Sequence, residues 1–324
     1  MALLRHLGGV AGRIGVRFVV LKGGALHALR LVRAAERPLS DVDLLLAPAD
    51  GKRLHEELLG EGWTVFDAPV CEWHLPQLVH EAWPALEIHD ALDGITRDGT
   101  SWATFADLEE EGALEPLPAA GPSAFVPTRE VLAAHAVAHG FLHHGLVPLV
   151  YPLRRVFDDL RVLGVLEAPD EAFLAGPGRW IGKGLTRGEI VTILRLSRRL
   201  ARGEEVASDS PPTPESRLLL HVDRCAGDPL YRNAFRLRQV HALAGGLSLR
   251  GVARNVAGTL FLSRAEVDAR YGPPRHAWGY PLRQLLRPLD LALRLGRYAG
   301  AWLRLRVRGE EPPPDRARAP RAGG

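Results

Sequence analysis

Two aspartates, Asp41 and Asp43, open an otherwise apolar run that continues through Leu44-Leu45-Leu46 and stops at Pro48. A short apolar run bounded by breakers reads as a buried strand. On a strand, residues i and i+2 share a face, so both carboxylates emerge side by side from a segment that must otherwise be buried. Two like charges in a desolvated place are costly unless something positive sits between them. A divalent ion such as magnesium meets that need, because it takes a few carboxylate oxygens together with waters and substrate phosphates.

The flanking segments extend the pattern. Residues 2–12 read as a short helix. Phe18-Val19-Val20-Leu21 reads as a second buried strand, stopped by Gly23-Gly24, and residues 25–35 read as a helix broken by Pro38. A helix follows over 48–60, then strands at 63–66 and around Leu86-Glu87-Ile88-His89. Alternating strands and helices predict an α/β or α+β domain. Glu87 lies between apolar neighbours on this later strand and is positioned to complete a three-carboxylate site. Such a site can hold two ions about 3.5–4 Å apart. Glycines between a strand and a helix allow backbone N–H groups to approach a phosphate at the positive helix end.

The stretch Lys22-Gly23-Gly24, then Arg37-Pro38-Leu39-Ser40-Asp41-Val42-Asp43-Leu44-Leu45, then Glu87-Ile88-His89 resembles the nucleotidyltransferase-like family of bacterial proteins related to the polymerase-β superfamily. The resemblance covers residues 14–92 through specific motifs. It is looser over the helical part, Ala134 to Gly145 and Arg154 to Leu163. It implies an α+β fold, a mixed sheet flanked by helices and followed by a mostly helical C-terminal region. It implies Gly23 and Gly24 for a phosphate turn, Asp41 and Asp43 for metal, and Glu87 as third carboxylate, with Mg2+ or Mn2+ as cofactor and a nucleoside triphosphate as substrate. Family members are mostly uncharacterised, so the acceptor (a small molecule, a protein side chain or an RNA end) stays open. Gly24 departs from the serine found there in many superfamily enzymes, and the segment before the first strand is short.

Other residues near the motif carry two readings each. Lys22 either contacts a triphosphate or is a surface lysine. Arg37 contacts phosphate or pairs with Glu36 or Asp41. Ser40 contacts the nucleotide or caps the turn before the strand. His89 shares a face with Glu87 and either neighbours the metal or is a core histidine. Further on, His135, His139 and His143 recur at helical spacing and share one face. Histidines at i and i+4 can bind zinc, but no glutamate accompanies them in sequence, so packing against the catalytic domain is the competing role. Asp158 and Asp159 are expected to pair with Arg154, Arg155 or Arg161 on their own helix.

The 324 residues allow an organisation of 1–120 as the nucleotidyltransferase domain, 125–205 as a helical domain, 216–308 as a C-terminal helical region and 309–324 as a disordered tail. The Pro- and Ala-rich stretch 116–127 reads as a linker, followed by a helix from Arg129 that Thr128 can cap. A net charge of +3 creates no field that demands a nucleic-acid partner. Only three of the 41 basic residues are lysines, so the pI near 9.1 reflects arginine usage. The basic, leucine-rich stretch 282–307 either touches an anionic membrane or nucleic acid weakly or packs on the domain. Cys71 and Cys225 make no disulfide framework. With no transmembrane run, the expected location is cytoplasmic. Two rival functions remain open, a non-catalytic binding or regulatory module and a glycosyltransferase whose Asp-x-Asp holds a nucleotide-sugar.

Overall fold

The computed structural model describes residues 1–204 apart from 34, 68–73, 98, 100, 144–152, 183 and 184, then scattered positions between 213 and 234, and residues 276 and 279–308. The strands are β1 (Phe18–Val20), β2 (Asp41–Leu45), β3 (Thr64–Asp67), β4 (Gln77–His80), β5 (Trp83–His89), β6 (Leu92–Thr96), β7 (Trp102–Ala103), β8 (Leu114–Pro116) and β9 (Ala124–Pro127). The helices are α1 (Ala2–Ile14), α2 (Lys22–Ala28), α3 (Pro48–Gly60), α4 (Phe105–Glu110), α5 (Arg129–Ala138), α6 (Leu153–Val162), α7 (Asp170–Ala175), α8 (Arg187–Ala201) and α9 (Gly279–Val307). Among the described residues, seven strands form one mixed sheet in the order β3-β4-β5-β2-β1-β9-β8, while β6 and β7 pair separately. The architecture is α+β, a mixed sheet flanked by helices with a helical C-terminal part.

Side-chain alternation divides the core between the two faces of the sheet. Phe18, Val20, Val42, Leu44, Leu46, Leu86 and Ile88 join the cluster that includes α1, α3 and the later helices. Val19, Leu21 and Leu45 join the cluster formed with β6, α4 and α5. Asp41 and Asp43 alternate in phase with Leu45. They therefore lie on the second face, on the side where β6 and α5 pack.

Three local expectations change in the folded chain. The helix expected over 25–35 runs instead from Lys22 to Ala28. It closes at Leu29, where Arg30 adopts φ 58° and the amides of Arg30 and Leu31 return to the carbonyls of His27 and Leu26. That is the Schellman closure, usually given to glycine, so Pro38 is not what ends the helix. The stretch read as a linker holds the last residue of β8 and all of β9, and β9 runs parallel to β1 with Phe18 opposite Ala124. Its prolines sit at the end of β8 (Pro116), in a short 3-10 turn (Pro118), in the turn before β9 (Pro122) and at the end of β9 (Pro127), where few ladder donors are needed. Thr128 occupies the N-cap of α5 without a side-chain capping bond.

Most of the expected 216–308 helical region and all of the 309–324 tail lie outside the described residues. In α9, Ala301 and Leu305 pack with Tyr231 and Ala234, while Leu282, Leu289, Leu293 and Leu303 are exposed. No described helix is long and apolar enough to cross a membrane.

Candidate active site

Strands β2 and β5 run parallel, and their register sets Asp41 opposite Ala85, Asp43 opposite Glu87 and Leu45 opposite His89. Partners in register on adjacent strands share a face, and strands lie about 4.8 Å apart. Asp41, Asp43, Glu87 and His89 therefore face the same side of the sheet. Asp43 is buried, whereas Asp41 and Glu87 are half-buried at the rim.

Asp43 is the hub. Its Oδ1 accepts from Lys22 Nζ at 2.7 Å and from His89 Nε2 at 2.9 Å. His89 Nε2 also lies 3.8 Å from Glu87 Oε2. His89 is buried, as a core histidine is, and its Nε2 serves the Asp43 carboxylate on the face shared with Glu87. Burial alone would raise the Asp43 carboxyl, but Lys22 and His89 outweigh it and hold Asp43 well below the usual carboxylate range. At Glu87 burial also acts upward, and the Asp43 charge adds to it, so this carboxyl is raised. Gln77 on β4 donates its amide to Glu87 Oε1 at 2.9 Å and orients it.

Lys22 is not a surface lysine. Its side chain is 18% exposed, and its backbone takes φ 46° at the turn from β1 into α2. Burial would lower its amine, but Asp43, Asp93 and Glu87 together raise it, so it stays charged. A non-glycine residue with positive φ costs about 1 kcal/mol or more. Here that conformation directs the amine onto Asp43.

Gly23 and Gly24 lie in the first turn of α2 and are buried. A Cβ on Gly23 would meet Leu39 Cδ2 at 2.9 Å, and one on Gly24 would meet Val20 Cγ1 at 2.9 Å and Val42 Cγ1 at 3.5 Å. The Gly24 position therefore points into the sheet, and close packing is the local reason for glycine there. The amide of Ala25 returns to Leu21, so the amides of residues 22–24 precede the first intrahelical bond.

Ser40 donates to Asp41 Oδ1 at 2.9 Å. Arg37 departs from its expected partners. It forms a buried ion pair with Asp159 on α6, with Nη2 at 3.1 Å from Oδ2. Asp159 is thus a partner of Arg37 across the fold, and Asp158 pairs locally with Arg161 at 3.3 Å.

Three groups near the carboxylates escaped the sequence reading. Gln77 is one. His74 is another, with its ring 3.8 Å from that of His89 and its pKa pushed down to about 2, by burial first and then by His89. Asp93 on β6 is the third, lying beside His135 and His139. Burial, reinforced by Lys22, lowers His135 to about 4 and keeps it neutral. The signal for Gln77 and Asp93 was available only as polar residues in apolar strands. The side chain of His143 and all of His144 lie outside the described residues.

The donor set of Asp41, Asp43 and Glu87 is all hard oxygen, the kind that suits magnesium or manganese. Both bonds to Asp43 fall on Oδ1, so the second oxygen of that carboxylate is compatible with an ion on the shared face. Residues 4–163 match the profile of a family described as uncharacterised nucleotidyltransferase. The match begins within α1 and ends one residue past α6, beyond the 14–92 stretch that carries the specific motifs. No curated protein and no solved structure matches the chain.

Proposed function

We propose, from the premise that over residues 4–163 this chain is a nucleotidyltransferase-like family protein, that it moves a nucleoside monophosphate from an NTP to a hydroxyl acceptor with Mg2+ or Mn2+. The observation that carries this reading is the register of β2 and β5, which puts Glu87 beside Asp43 and on the same face as Asp41. Asp41, Asp43 and Glu87 would hold the ion. When bound, a divalent ion in such a site neutralises charge on the triphosphate and on the departing pyrophosphate.

The chain's own groups have separable tasks. The Glu87 carboxyl, raised by burial and by Asp43, is suited to take the proton from the acceptor hydroxyl. The acceptor oxygen then bonds to the α-phosphorus as the bond from that phosphorus to the pyrophosphate breaks. Lys22 holds a fixed positive charge beside the carboxylates, and on nucleotide entry it is positioned to share that charge with phosphate oxygens. The amides of residues 22–24 at the start of α2 add oriented donors. Ser40 orients Asp41, and His89 orients Asp43. Arg37 serves by tying the turn before β2 to α6, not by contacting phosphate.

Incubation with each labelled NTP, magnesium and candidate acceptors tests the reading. Pyrophosphate release with a labelled product is the expected result. Turnover of nucleotide-sugars alone would replace it with glycosyl transfer. Tight capture of a partner without turnover of any NTP would replace it with a binding module.

A further inference from the structure

We propose that Asp93, His135 and His139 form a second metal site, separate from the three-carboxylate cluster, that takes one divalent transition metal of the zinc class. His135 and His139 stand one turn apart, with ring centroids 5.5 Å from each other. His135 lies in the last turn of α5, and His139 begins a π-helical turn over His139–His143. Such turns recur at functional sites because they re-aim side chains. Asp93 reaches both rings from β6. Its Oδ1 lies 4.0 Å from His135 Nε2, and its Oδ2 lies 3.9 Å from His139 Nδ1.

These separations are longer than a hydrogen bond, yet one donor atom from each residue falls within 4.8 Å of the other two. Bonds of 2.0–2.1 Å in a tetrahedral shell place ligand atoms about 3.3 Å apart, so each side chain needs to move inward by less than about 1 Å. The exposures of the three side chains run from 2% to 7%, and His135 Nε2 has no hydrogen-bond partner among the described residues. A buried nitrogen left so is destabilising, and a metal bond would remove that cost.

The donor set points to the class of metal. Two imidazoles and one carboxylate suit zinc and its neighbours, whereas magnesium keeps to oxygen and water. Three protein ligands leave a fourth position. His135 and His139 line a small cleft, open in part to solvent and shared with Lys22, Leu26 and Leu132. The fourth position therefore takes water or an oxygen anion entering beside Lys22. This inference does not depend on nucleotidyl transfer.

Metal-stripped full-length protein titrated with Zn2+, and with Co2+ as a coloured substitute, tests it. The expected result is one equivalent bound, with the visible bands of a low-coordinate Co2+ complex. The same stoichiometry should persist in Asp41→Asn and Glu87→Gln. Asp93→Asn and His139→Ala should each weaken binding by at least roughly 100-fold, more than the loss of an outer partner causes. X-ray absorption at the zinc edge of the wild type gives a readout that does not rely on variants folding, with two imidazoles in the shell. No stoichiometric binding, a shell without two imidazoles, or binding lost in Glu87→Gln but kept in His139→Ala would each overturn the assignment.

Discussion

Asp43 and Glu87 stand opposite each other on adjacent parallel strands, yet their surroundings drive their carboxyls in opposite directions. Asp43 is held ionised by Lys22 and His89, while Glu87, with Gln77 at its side, is pushed upward by burial and by Asp43 itself. Paired carboxyls pushed apart in this way divide into an ion-holding group and a proton-accepting group.

Glu87→Gln should lower nucleotidyl transfer by about 10²–10⁴-fold with nucleotide affinity largely retained. It should also change stability with a definite sign in the metal-free protein. A raised carboxyl binds its proton more tightly when folded, so the stability it adds is present at acid pH. That stability is lost as pH climbs from the ordinary glutamate value through the raised one. The substituted amide cannot ionise and still offers Gln77 an acceptor. Thermal unfolding from pH 4 upward should therefore show the variant gaining on the wild type as pH rises; a difference that does not change with pH would contradict the shift at Glu87.

Asp41→Asn and Asp43→Asn should both reduce transfer by about 10³-fold or more, but they should part on stability. Like-charge repulsion alone suggests that either change relaxes the fold. Asp43, however, is the partner of buried Lys22, and losing one member of a buried pair costs about 3–5 kcal/mol. Among the described residues, Asp41 is bonded by Ser40 alone, at the half-buried rim. Denaturant titration should find Asp41→Asn near the wild type and Asp43→Asn clearly weaker.

Lys22→Gly and Lys22→Ala both remove the amine, so both should impair transfer and leave Asp43 with His89 alone. They differ in backbone freedom. At φ 46° glycine carries little penalty, whereas alanine carries about 1 kcal/mol. The glycine variant should unfold at the higher denaturant concentration. The reverse order would show that Lys22 is not held in the left-handed region.

Arg37→Ala should destabilise the protein by about 3–5 kcal/mol by breaking the buried ion pair with Asp159, and the double change Arg37→Met with Asp159→Leu should recover much of that loss. Calorimetry of the single and double variants checks this. If Arg37→Ala raised the KM for NTP and left stability unchanged, phosphate contact rather than the α6 tie would be its role.

Gly24→Ser, which installs the residue typical of the wider superfamily, should cost about 1–3 kcal/mol here. The added Cβ meets Val20 and Val42 in the sheet rather than the substrate side. Val20→Ala in the same chain should return part of that loss, as read by unfolding midpoints, because Val20 Cγ1 is the atom the new Cβ would meet at 2.9 Å.

Much of the site was legible because it is local. Alternation along β2 put Asp41 and Asp43 on one face, and apolar neighbours marked Glu87 as a carboxylate in a strand. The histidine spacing at 135 and 139 declared a shared helical face. What misled was equally local. Prolines around β8 and β9 imitated a linker because ladder bonding with β1 has no signature in composition, and α2 ended early because Arg30 accepts a backbone angle usually left to glycine.

The pattern of residue types thus determined which segments become strands, which side chains share a face and that acidic groups sit within apolar surroundings. The fold alone decided partners. The β2–β5 register brought Glu87 against Asp43, docking of α6 gave Arg37 a partner 122 residues away, and β6 supplied Asp93 to two histidines that lack a carboxylate nearby in the chain. The physical reason is that periodicity records the local geometry of the backbone. Pairing across a sheet and docking of helices depend on the packing of the whole core, which no single segment encodes.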